Sequence, residues 1–193
     1  MNWSTRRREE PHVTYYVTCG LASVAADRRH FDLAKAREET KLPGMKIPGL
    51  RSPHEKVAGL VYFGRMLDKI RLHAAGQLPP KYVANLGEED WYFYDARCVR
   101  FLGVKYRALV KRVKQGGTDA QILRWCFQEG GKRSPEQIAI WNTFLAKRGW
   151  RDEATGGLEE EKAAEGFGRR KDIVTWFDLM DAEEGRKVGD VIG

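Results

Sequence analysis

A chain of 193 residues with 34 Lys/Arg, 27 Asp/Glu and a formal net charge of +7 is long enough to bury one sizeable core, as a single domain or a domain with extensions. Its eight Phe, seven Tyr and six Trp exclude general disorder, and no apolar run reaches membrane-spanning length. Cys19, Cys98 and Cys126 form no CxxC and no paired framework, so they read as buried thiols of a reducing, cytoplasmic compartment.

The charge is uneven. Residues 1–50 carry +3, residues 51–150 carry +9 and residues 151–193 carry −5. A basic body with an acidic tail points either to a tail docked on the body or to an anionic partner.

In chain order, residues 1–44 read as an N-terminal extension. Arg6, Arg7 and Arg8 precede an apolar stretch, but Glu9, Glu10, Pro11 and His12 between them argue against a secretory signal. A short β-prone piece is expected at Val13–Cys19 and a helix at Arg28–Thr40. Pro43-Gly44 and Pro48-Gly49 mark a turn-rich linker into a domain over 45–186.

The central element is a helix expected over 53–76. Ser52 is an N-cap, Pro53 suits the first helical position, and Glu55 completes a capping-box spacing. Wound at about 100° per residue from Val57, its apolar stripe takes in Leu60, Val61 and Gly64, and also Asp68 and Arg71. Two opposite charges three residues apart in an apolar stripe need each other as partners, and such groups concentrate at functional sites. Arg65 falls at the border and Lys69 on the far side. Gly64 in mid-helix suggests close approach of another helix or a ligand.

Gln77–Asp90 reads as loop. Trp91–Tyr94 is an aromatic run, better explained as a plug for the core than as a lid on a pocket. Asp95 caps a short helix, 96–102, carrying Arg97, with Cys98 beside Phe101 as a buried thiol. Helix 105–115 has the inner stripe Tyr106, Leu109, Val110 and Val113 and a basic outer face. Thr118 with Gln121, and Ser134 with Gln137, are capping boxes opening the next two helices. A short helix is expected at 158–165. Asp172 is expected to cap a last amphipathic helix, 173–184, with Ile173, Trp176, Phe177 and Met180 inward and Asp178, Asp181, Glu183 and Glu184 outward. Residues 187–193 should fray. The sum is an all-α single compact domain of six or seven helices.

The blocks RSPHEKVAGLVYFGRMLDKIR at 51–71, DARCVRFLGV at 95–104, TDAQILRWCF at 118–127 and DIVTWFDLMDAEEGR at 172–186 resemble a bacterial family known only as a domain of unknown function, number fifty sixty-nine in its series. The resemblance spans about 46–186. It implies a soluble, mainly helical bacterial protein and transfers no activity. DWYFYDAR is longer than the corresponding stretch of the family.

No phosphate-cradling loop, HExxH or GxSxG is present, and His54, Asp68 and His73 point apart, so neither a cofactor nor a metal is expected. The first expectation for function is a small anionic metabolite held by Arg65, Arg71 and Arg97, with Asp68 or Lys69 as acid/base group if chemistry occurs. The second is nucleic-acid binding through the basic helix 105–114. The third is a protein-interaction adaptor using the last helix.

Overall fold

The computed structural model describes residues 46–189. The strand and helix expected within 1–44 lie outside the described residues. Eight helices are described: α1 Phe63–Ala74, α2 Pro80–Val83, α3 Tyr94–Leu102, α4 Tyr106–Lys114, α5 Asp119–Gly130, α6 Pro135–Lys147, α7 Thr155–Ala164 and α8 Trp176–Glu183. The only β pairing among the described residues is an isolated bridge between Val57 and Leu60. The fold is all-α. Its one element beyond the expected six or seven is the four-residue α2, inside the stretch read as loop.

The central helix begins ten residues later than its sequence suggests. The Ser52 capping signal forms a single turn: Glu55 N–H donates to the Ser52 carbonyl at 3.2 Å, and Ser52 N–H donates to the Glu55 carboxylate at 3.3 Å. The turn does not propagate; the Ser52 hydroxyl accepts from His54 N–H at 3.2 Å and donates to Asp181 at 2.7 Å. Ala58 and Gly59 then take positive φ, and the Val57–Leu60 bridge closes the loop. Asn142 on α6 clamps it, accepting from Val61 N–H at 3.1 Å and donating to the Gly59 carbonyl at 2.7 Å. Tyr62 ends the loop at φ 67, a conformation that a non-glycine residue holds only when its surroundings enforce it. Here they do. Its ring stacks on Phe177 at 6.0 Å between centroids, and its hydroxyl donates to Asp95 at 3.0 Å.

From there α1 lies at the centre of the main core. Phe63, Met66, Leu67 and Ile70 pack with Leu102, Leu109, Ile122 and Phe177. Charges also join α1 to α3, to α5 and to the end of α8: Lys69 to Asp95, Arg71 to Asp119 and Arg65 to Glu184. The expected placing of Lys69 away from the core is therefore corrected, because both Arg65 and Lys69 are 2% exposed. Gly64 is explained by Arg51, since a β-carbon there would stand 2.6 Å from the Arg51 Nη1. Where α3 ends against α5, a β-carbon on Gly130 would stand 1.9 Å from the Leu102 carbonyl oxygen, so only glycine fits that crossing.

Both expected capping boxes, Thr118 with Gln121 and Ser134 with Gln137, are formed. The last helix is capped by Thr175 with Asp178 rather than by Asp172, which pairs with Arg170 instead. Its acidic side is not a solvent face. Asp178, Asp181 and Glu184 are buried, Asp181 and Glu184 held by Arg186 and Glu184 also by Arg65. Asp95 lies in the first turn of α3 and faces Lys69 rather than capping. Val188, expected to fray, packs on a small core of Leu158, Ile173, Leu179 and Ala182.

Candidate anion site

The charged side chains of α1 are committed to the protein itself. Asp68 accepts from Arg51 Nε at 2.6 Å and Nη2 at 2.7 Å, while the expected partner Arg71 stands at 3.6 Å. Arg71 donates to Asp119 at 2.6 Å, and Arg51 reaches the same carboxylate at 2.8 Å. Arg65 donates to Glu184 and, at 2.8 Å, to the Arg51 carbonyl. Burial opposes its charge, but Glu184 holds its pKa above the usual value. Lys69 stands 2.7 Å from Asp95 and 3.1 Å from the Tyr62 hydroxyl. Burial lowers the Lys69 pKa and raises that of Asp95, moving both toward neutrality.

Arg97 is placed differently. It lies on α3, and its guanidinium stands over Trp91 at 4.9 Å, Tyr92 at 5.9 Å and Phe144 at 5.6 Å. Arg148, the C-cap of α6, shares two of those rings, at 5.1 Å from Tyr92 and 5.7 Å from Phe144. Its backbone is extended at φ −60, ψ 129, where α6 stops short of Gly149. Two like charges thus stand side by side against one aromatic wall. The aromatic run is split by this arrangement. Tyr94 plugs the core, as expected for the whole run, whereas Trp91 at 58% and Tyr92 at 37% exposure stay at the surface.

The hydrogen bonding around this pair is incomplete among the described residues. Arg97 Nη2, Arg148 Nη2 and the Tyr94 hydroxyl are buried without a hydrogen-bond partner. So is Nε1 of Trp176, whose ring lies beside Gly149 and Gly157. All four can donate, and buried donors left unpaired are costly. Burial, together with neighbouring Arg148, lowers the Arg97 pKa, although a guanidinium keeps its charge at ordinary pH. Burial also raises that of Tyr94, against the pull of Arg148 and Arg97, so the phenol stays protonated and available as a donor. Arg148 is 1% exposed, and among the described residues its carboxylate partner is Glu153, which accepts from Nη1 at 2.7 Å.

Of the five candidate residues read from sequence, the structure gathers Arg65, Asp68, Lys69 and Arg71 on α1, each with protein partners, and sets Arg97 apart. Arg148, Tyr94 and Glu153 were not recognised as site residues. Arg148 lies 51 positions after Arg97 in a helix-ending sequence, with no spacing that ties the two. A cleft of about 420 Å³ between Glu88 and Lys105 has Glu88 already bonded to Tyr106 N–H at 2.9 Å and, through its carbonyl, to Arg100. Cys98 and Cys126 are buried free thiols, as expected, with pKa values raised by burial. Among the described residues no helix is long and apolar enough to cross a membrane.

No curated protein sequence matches the chain. Residues 47–186, most of its length, match the family described as a domain of unknown function, DUF5069, and the chain belongs to that family.

Proposed function

We propose that this protein binds a small anionic molecule at the Arg97–Arg148 pair. The observation that carries the reading is the cluster of buried, unpartnered donors, the two Nη2 groups and the Tyr94 hydroxyl, beside two like charges. An anion supplies both the acceptors and the compensating charge, and planar guanidiniums suit carboxylate or phosphate oxygens. Arg97 keeps the binding role expected of it. Arg65 and Arg71 contribute to the architecture that positions the end of α8 and α5, and the proposal includes no catalytic step at Asp68 or Lys69.

The test is thermal unfolding in a panel of acetate, benzoate, citrate and inorganic phosphate. A ligand that binds only the folded state raises the melting temperature with concentration. At least one anion should do so, and Arg97→Met should abolish the effect while Arg71→Met leaves it. No stabilisation by any of them, or an effect insensitive to Arg97, would remove this reading.

A second reading, nucleic-acid binding through α4, has one observation in its favour. Lys105, Arg107, Lys111 and Lys114 are exposed, and the acidic residues of α8 that would compete for that face are turned inward. Binding to a random duplex whose strength falls steeply with salt would support it.

A further inference from the structure

We propose that Glu153 is the built-in occupant of the Arg97–Arg148 site, and that a monocarboxylate enters by taking its place. The inference rests on the anion-site reading above and adds the ligand class and the exchange that admits it.

Arg148 is almost wholly buried, yet the glutamate on its Nη1 is 71% exposed along its side chain. The Glu153 carboxylate therefore lies between the guanidinium and solvent. It meets Arg148 through one oxygen only and leaves Nη2 unsatisfied. A free carboxylate, unconstrained by a backbone, can span Nη1 and Nη2 with both oxygens, which is the stronger geometry.

The loop that carries Glu153 is built to let the side chain leave. Asp152 accepts from Gly149 N–H at 3.0 Å and from Ala154 N–H at 2.8 Å, and its own N–H donates to the Thr155 hydroxyl at 3.0 Å. The backbone on both sides is pinned by Asp152, so the Glu153 side chain can swing outward by rotation about its own bonds. What is given up is a single-oxygen contact to Arg148 Nη1, which the incoming carboxylate replaces.

The rim also selects the charge of the ligand. Asp152 stays in place on the N–H of Gly149, the residue after Arg148, and the displaced Glu153 remains nearby. A dianion would face two carboxylates, whereas a monoanion replaces the charge that Glu153 withdraws. The exposed faces of Trp91 and Tyr92 at the mouth favour a carboxylate on a flat apolar body.

The experiment is isothermal titration of the full chain with benzoate and with sulfate, at neutral pH. It compares wild type, Glu153→Ala, Glu153→Gln and each of these combined with Arg97→Met. Glu153→Gln keeps an acceptor for Arg148 should the alanine variant fold poorly. Removing an internal competitor that meets Arg148 through one oxygen only should tighten benzoate binding about three- to tenfold. Arg97→Met should remove it in every background, and sulfate should bind more weakly than benzoate. Equal benzoate affinity in wild type and both Glu153 variants would overturn the exchange while leaving an anion site. Tighter binding of sulfate than of benzoate would overturn the ligand class. No binding of either anion, with or without Glu153, would overturn the anion-site reading itself.

Discussion

Asp68 is held edge to edge by Arg51, its two oxygens accepting from Nε at 2.6 Å and Nη2 at 2.7 Å, and that guanidinium lies flat across Gly64 on the same helix. The glycine in mid-helix and the acid in the apolar stripe thus have one cause. Replacing Gly64 with alanine would add about 1 kcal/mol of helix propensity in an open position. Here the new methyl would meet Arg51 and push it off Asp68. Thermal unfolding should show Gly64→Ala to be destabilising in the wild type and stabilising in an Arg51→Ala background. Stabilisation in both would mean that Arg51 does not depend on the gap.

Arg65 and Glu184 form the most deeply buried ion pair described that joins α1 to the C-terminal end of α8, at 2% and 1% side-chain exposure. Removing one partner of such a pair strands the other charge at about 3–5 kcal/mol, whereas an apolar pair of like volume can be nearly neutral. Glu184→Leu should therefore lower stability sharply in denaturant titration. Arg65→Met with Glu184→Leu should recover most of it, the remainder being the bonds of Glu184 to Arg186 and to the Tyr82 hydroxyl at 3.0 Å.

Phe177 ties the last helix to the loop before α1. It is fully buried, stacks with Tyr62 and meets His54 edge-on at 5.0 Å between centroids. Phe177→Ala should lower stability by about 3–5 kcal/mol, the usual range for a buried Phe. Cutting the chain after Lys171 should leave an insoluble or unfolded product. A truncated chain as stable as the whole would contradict the docking of α8.

The C-terminal acids show what the sequence could and could not disclose. Helix-opening signals such as Thr118 with Gln121 are local, and they are formed as written. At Ser52 the same signal yields one turn only, and its hydroxyl, besides accepting from His54 N–H, donates to Asp181, 129 positions away. Periodicity puts Asp181 and Glu184 on a polar face. They are buried because Arg186 folds back on both from five and two positions away, and because Arg65, 119 positions away, pairs with Glu184. The candidate site was half legible for the same reason. Arg97 stands out as a cation among aromatics, but Arg148 and Glu153 acquire meaning only when α6 stops beside α3.

Glu183 gives the stability a dependence on pH. Burial raises its pKa from 4.5 to about 7, with Glu165 and Glu161 adding to the shift and Lys81 opposing it. The folded state then binds more protons than the unfolded chain between those two values. The stability contributed is complete below the unfolded pKa and lost as pH rises through about 7. Glu183→Gln should raise the melting temperature relative to wild type at pH 8, by more than at pH 5. A difference that does not grow between those two conditions would show that Glu183 titrates normally.

Arg51, Arg65 and Arg71 are held by carboxylates of the protein, whereas Nη2 of Arg97 and of Arg148 has no partner among the described residues, and it is there that the proposed anion binds. The most direct measurement is the nitrogen-15 spectrum of the arginine side chains during titration with benzoate. Arg97 and Arg148 should shift together and saturate, with Arg51, Arg65 and Arg71 unmoved. Saturating shifts at Arg51, Arg65 or Arg71, with none at Arg97 and Arg148, would contradict the account.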